Sequence, residues 1–193
     1  MHKSSILVAF AVSALVMTMS CSQGTPEANT PKAPSPEEVV KRGEYLVGIM
    51  GCNDCHSPKR MGPKGPEIIP ELLLSGFPGD SAIGKFDTKI ISAGYSVFYP
   101  GLTAAAGPWG VSFAANLTPD ETGIGNWTEE QFKKAIKEGK YKGIEGTRPL
   151  LPPMPWVNYA QLSDEDAHAM FMYFKSIKPV KNVVPMPIAP DKM

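Results

Sequence analysis

Residues 52–56 read Cys-Asn-Asp-Cys-His. Two thiols at this spacing can add to the two vinyl groups along one edge of a haem, and the adjacent histidine then meets the iron from one face; CxxCH therefore reads as c-type haem attachment. Two other chemistries use similar residues. A thioredoxin-like dithiol needs a strand before the motif and a helix opening at it, whereas here a helical pattern ends at the motif. A zinc site needs four ligands. Cys52, Cys55 and His56 lack an obvious fourth, since His168 is the one other histidine beyond the N-terminal segment.

An iron held by His56 has a second axial position to fill. The candidates are His168 and the methionines Met61, Met154, Met170, Met172 and Met186. Met61 follows His56 by only five residues, a short path around a haem. Met170 reads as core, His168 as a partly exposed helix residue, and Met186 lies in a Pro-rich tail. Met154 stands in Pro152-Pro153-Met154-Pro155. This segment cannot be helical, and such a rigid loop presents a thioether at a fixed position. The bland alternative is a loop methionine filling a gap beside an open or water-bound iron.

Three helices are expected to carry these residues. The first opens at Ser35 with Pro36, Glu37 and Glu38 behind it and ends near Met50-Gly51. Gly43 inside it costs about 1 kcal/mol of helix propensity relative to Ala, which suggests close approach of another element. The second spans about Glu129 to Glu138, with Thr128 and Gln131 as a capping box, Trp127 stapled onto Phe132, and Gly139 as the stop. The third runs from about Asp164 to Lys178 behind Ser163, with an apolar stripe through Met170, Phe171 and Phe174. Residues 57–115, broken by seven prolines, read as a long loop-rich insert. Within it Phe86–Ser92 and Tyr95–Tyr99 suit a small β-hairpin.

The N-terminus reads as an export signal over residues 1–20. Lys3 precedes an apolar run from Ile6 to Met19, which is short for a membrane span. A retained short anchor is the alternative. Cys21 follows Ser20 and resembles the lipidated cysteine of a bacterial lipoprotein, with ordinary cleavage as the rival because Thr18 stands where Leu is usual. Residues 21–35 then form a Pro-punctuated tether of roughly 20 to 40 Å. Lipid on Cys21 and haem on Cys52 and Cys55 would account for all three cysteines, leaving no free thiol in an oxidising compartment. Export is itself a requirement of the haem reading, because attachment takes place outside the bacterial cytoplasm. Nineteen basic and nineteen acidic side chains balance, so there is no basic excess for nucleic acid.

A glycine and an aromatic before CxxCH, a Pro-flanked methionine and a C-terminal helix containing Tyr-Phe resemble class I cytochrome c over Pro36 to Val180. The stretch Asn116-Leu117-Thr118-Pro119-Asp120-Glu121-Thr122-Gly123-Ile124-Gly125-Asn126-Trp127 is similar to one in cytochrome c subunits of membrane-bound alcohol and gluconate dehydrogenases. So are Pro153-Met154-Pro155-Trp156 and Leu162-Ser163-Asp164-Glu165-Asp166. Those subunits carry three haems, and this chain has one CxxCH. The resemblance implies an all-α class I cytochrome c fold over 36–180, with a Pro-rich tail at 181–193. It implies haem ligation by His56 and Met154, and the single CxxCH sets the expected count at one haem c. It also implies that Gly43 and Tyr45 cross the third helix near Tyr173. Within the matched stretch, Asn116 and the Trp127 indole are candidates to donate to a haem propionate; a turn Asn and the helix staple are the alternatives.

With both axial positions filled there is no open site for a substrate, and His/Met ligation favours ferrous iron. The expected function is electron transfer between redox protein partners, a dehydrogenase or a terminal oxidase chain, on the periplasmic side of a bacterial membrane, with the outer membrane weakly favoured. Two other readings stay open: a haem enzyme or gas sensor in which Met154 is off the iron or easily displaced, and an insert at 57–115 that serves as a docking module.

Overall fold

The first helix begins as its sequence dictates. The Ser35 hydroxyl accepts from the Glu38 amide, and the Glu38 carboxylate accepts from the Ser35 amide at 2.7 Å. Pro36 fills the first helical position of α1, Pro36–Ile49. The structure, a computed structural model, describes residues 32–193. The signal segment, Cys21 and the tether up to residue 31 lie outside the described residues. Residues 34–193 form one unit. Among the described residues, no helix is long and apolar enough to cross a membrane.

Helix α6, Asp164–Ser176, crosses α1 at Gly43. A Cβ on Gly43 would stand 2.0 Å from the Ala169 carbonyl oxygen and 2.8 Å from the Tyr173 Cβ. Only glycine lets the two backbones approach this closely. Tyr45 does not share the crossing: it is 57% exposed and lies beneath the Arg42 guanidinium. Arg42 also ties the two helices through Asp166, donating from Nε at 2.9 Å and Nη2 at 3.1 Å.

Helix α4, Glu129–Glu138, starts with the Thr128–Gln131 capping box and stops at Gly139, whose φ is +68°. Its buried face brings Phe132 to 5.7 Å, ring to ring, from both Phe171 and Phe174 of α6. Leu46, Val47, Leu74, Ile124 and Met170 complete this core.

The expectation of an all-α fold is overturned. The architecture is mixed, with two antiparallel sheets inside the insert. Strands β1, Lys59–Gly62, and β2, Gly65–Ile68, form a hairpin around Pro63-Lys64. Strands β3, Val97–Phe98, β4, Ala104–Gly107, and β5, Gly110–Phe113, form the second sheet. These strands are short, and β4 is buried at all four positions, so no alternating pattern marks them. The hairpin expected between Phe86–Ser92 and Tyr95–Tyr99 is not formed. Asp87 caps a short helix there, α3, Thr88–Ser92, and Val97–Phe98 pairs with Ala105–Ala106 instead. The C-terminal segment is tied to the same sheet: Val111 and Ile188 exchange backbone hydrogen bonds at 2.8 and 3.0 Å.

Candidate haem site

Gly51, with φ +69°, turns the chain out of α1 and into a five-residue helix, α2, Cys52–His56. A second short helix, α5, Trp156–Tyr159, approaches from the other side and its Tyr159 hydroxyl donates to the Met50 carbonyl at 3.1 Å. Between them lies a cavity of about 430 Å³, a volume typical of cofactor sites. Cys52, Cys55, His56 and Met154 all line it, as does Trp127. Its floor is the helical core, through Ile124, Phe132, Met170 and Phe174. A more open cleft of about 590 Å³ beside Leu72, Asp80 and Lys181 contains no cysteine, histidine or methionine, so the chemistry belongs to the first cavity.

The insert supplies one wall of the site. Phe98, Leu102, Thr103, Ala104, Ala105, Ser112 and Phe113 face the cavity. Leu74, fully buried with a φ of +58°, is held in that costly conformation from both sides. Its amide donates to the Ser57 hydroxyl at 2.9 Å, and its carbonyl accepts from Leu117 at 2.9 Å. Ser57 in turn donates to the Asn53 side chain at 2.9 Å. The insert is thereby pinned directly behind α2.

The tautomer of His56 is set by a backbone partner. Its Nδ1 lies 2.8 Å from the Ala115 carbonyl oxygen. A carbonyl can only accept, so Nδ1 carries the proton and Nε2 keeps its lone pair. Burial holds the imidazole pKa below the ordinary histidine value, with the Ala115 bond opposing in part. The ring is therefore neutral, the form that ligates.

The thiols argue against a redox dithiol. Burial pushes the Cys52 thiol up to about 11 and raises that of Cys55 as well, whereas catalytic CxxC thiols are shifted down. A helix, not a strand, precedes them. Among the described residues, no group of three or more His, Cys, Asp or Glu is placed to hold a metal ion, which leaves a zinc reading without a ligand set.

Two expected residues part company. Trp127 stands on the cavity wall, but Asn116 does not. Asn116 is 4% exposed, and its amide is committed elsewhere. It donates to the Val180 carbonyl at 2.8 Å and accepts from the Thr118 amide and hydroxyl at 2.9 and 2.8 Å. It anchors the segment after α6. Among the other axial candidates, Met61 and Met186 are 79% and 69% exposed, and His168 pairs with Glu129 at 2.9 Å. Met50, Met154 and Met170 are the methionines that reach the cavity; Met170 is fully buried in the core.

Sequence reasoning missed Arg148. Arg148 and Asp54 are the charged side chains on an otherwise apolar wall. Its guanidinium stacks 4.0 Å from the centre of the Tyr141 ring and donates to the Pro149 carbonyl at 2.9 Å. The salt bridges among the described residues do not include it. An unpaired cation in an apolar cavity matches a ligand that carries carboxylates, as haem does. Its place six residues before Met154 was the available signal.

No protein-family model matches the chain. Curated relatives do, and cytochrome subunits of dehydrogenases are among them. The chain is 32% identical over 146 residues to the cytochrome c subunit of the quinone alcohol dehydrogenase of Gluconobacter oxydans, covering 75% of this chain and 23% of that protein. It is 32% identical over 139 residues to the gluconate 2-dehydrogenase cytochrome c subunit of Pantoea cypripedii, covering 72% and 23%. It is 28% identical over 178 residues to the fructose dehydrogenase cytochrome subunit of Gluconobacter japonicus, covering 86% and 29%. The chain thus spans about a quarter of the length of the curated relatives it matches.

Proposed function

We propose that this chain is an exported, single-haem c-type cytochrome that carries electrons and does not itself transform a substrate. Haem c would be held through Cys52 and Cys55, with His56 and Met154 to ligate its iron and Arg148 to pair with its carboxylates. When bound, haem supplies a reversible one-electron iron couple. The protein's residues do the rest. The two cysteines fix the group, Ala115 orients His56, and the insert and helical core exclude water. The similarity to cytochrome c subunits supports a dehydrogenase as the electron donor. The N-terminal sequence supports a periplasm-facing location with a lipid on Cys21.

The observation that carries this reading is the convergence of Cys52, Cys55, His56 and Met154 on one apolar cavity. Equilibrium redox titration of protein exported from a host that matures c-type cytochromes tests it. The expected result is one haem per chain, retained through denaturation, and a single one-electron wave. Haem released on denaturation, or none bound, would refute it.

A further inference from the structure

Lys59 stands three residues beyond His56, at the start of β1, and its ammonium is enclosed by backbone oxygen. It lies 2.7 Å from the Asp54 carbonyl, 3.0 Å from that of Ser57 and 3.3 Å from that of Asn53. All three belong to α2 or to the residue that caps its C-terminus. The fourth oxygen comes from far along the chain: the Gly101 carbonyl, at 3.0 Å. An ammonium brings three N–H donors and a positive charge to these four oxygens, where a neutral amine would bring two donors and no charge. The carbonyl dipoles favour the charged form, against the pull of burial.

At the far end of this contact the backbone is strained. Gly101 and Leu102 both hold positive φ, +89° and +66°, and the Gly101 Cα sits over the Lys59 side chain, with a Cβ there falling 3.7 Å from the Lys59 Cβ. The turn they form joins β3 to β4. Phe98 and Leu102 face the cavity while remaining 46% and 41% exposed, so they form part of its mouth. One side chain thus joins the attachment helix to the insert wall. The same charge is felt at the Cys55 sulfur, where it opposes the effect of burial.

We propose that Lys59 is a positioning residue with an electrostatic function: it fastens the β3–β4 turn across the cavity mouth and raises the reduction potential of the haem held there. This rests on the haem reading above. Oxidised iron carries one more positive charge than reduced iron, so a fixed cation close to the attachment cysteine disfavours the oxidised state. Asp54 supplies a nearby negative charge, which acts in the opposite direction.

The experiment compares haem-loaded wild type, Lys59→Met and Lys59→Arg by spectroelectrochemistry and by backbone hydrogen exchange over residues 99–104. Lys59→Met is expected to lower the midpoint potential. It should also speed exchange in the turn by roughly tenfold or more, as loss of a charge-assisted hydrogen bond implies. Lys59→Arg keeps the charge and should keep a potential close to wild type even where the turn loosens. A potential unchanged in Lys59→Met, or lowered equally in Lys59→Arg, would overturn the electrostatic function. A wild type without covalent haem would instead overturn the reading on which this one stands, and the two failures are distinguished before any variant is measured.

Discussion

The imidazole of His56 donates from Nδ1 to the carbonyl oxygen of Ala115, 2.8 Å away and 59 residues further along the chain. That bond links the two ends of the insert. The His56 carbonyl also accepts from Gly76 at 2.8 Å, so ring and backbone of one residue are fixed by separate parts of the same segment. The insert at 57–115 therefore serves the site from within, as the support of the His56 ring and as a cavity wall.

In the reduced, diamagnetic holoprotein, the Nδ1 proton of His56 should exchange slowly with solvent, because it is hydrogen-bonded to the Ala115 carbonyl. Proton NMR after transfer to deuterated solvent checks this. A signal lost at the rate of an exposed imidazole would show that the tautomer is not fixed by Ala115.

Arg148→Gln should destabilise the haem-loaded protein and leave haem-free protein little changed. An uncompensated carboxylate in a partly buried setting costs on the order of 1–3 kcal/mol, or about 2–4 °C in Tm per kcal/mol for a chain of this size. Thermal unfolding of both forms makes the comparison. Equal losses with and without haem would assign Arg148 to its stacking on Tyr141 alone.

Gly43 and Gly48 occupy the same helix but opposite situations. Gly43→Ala forces a methyl onto the Ala169 carbonyl and should cost about 1–3 kcal/mol. Gly48→Ala meets nothing within 4 Å and should stabilise by roughly 0.5–1 kcal/mol through helix propensity. Denaturant titration of the two variants should move the midpoints in opposite directions.

Acid should destabilise the fold through carboxylates held below their ordinary pKa. Glu129 is lowered first by its bond with Lys133 and then by His168. Asp120 is lowered by Thr122, and Glu38 by Ser35. Each binds its proton more weakly folded than unfolded. Their stabilisation is complete above the ordinary values near about 4 to 4.5 and is lost as pH falls through the lower folded values. Tm should therefore decline below about pH 4.5, and less steeply in Glu129→Gln. An identical slope in that variant would show that Glu129 contributes nothing to the acid response.

The helices were legible because each carries its own punctuation. Ser35-Pro36, Thr128 with Gln131, and Ser163 all start helices where their side chains predict, and Gly139 stops one. The insert was not legible because its strands are at most four residues long and are specified by partners distant in sequence, as Val111 is by Ile188. Spacing singled out Cys52, Cys55 and His56, and flanking prolines singled out Met154; all four line one cavity. Asn116 is held by Val180 and Thr118, and a buried amide near a cavity and a buried amide holding a loop look alike in sequence. Lys59 and Arg148 escaped because their partners are backbone carbonyls, an aromatic ring and a cavity wall, none of which has a motif.

An optical spectrum of the exported protein tests most directly whether the iron site is closed. The ferric form should be low-spin with a methionine–iron(III) charge-transfer band, and carbon monoxide should leave the ferrous spectrum unchanged. Met154→Ala should lose the band and bind carbon monoxide, while Met170→Leu should keep the wild-type behaviour. A high-spin wild type, or one that binds carbon monoxide readily, would contradict the closed site and make the protein a haem enzyme or gas sensor.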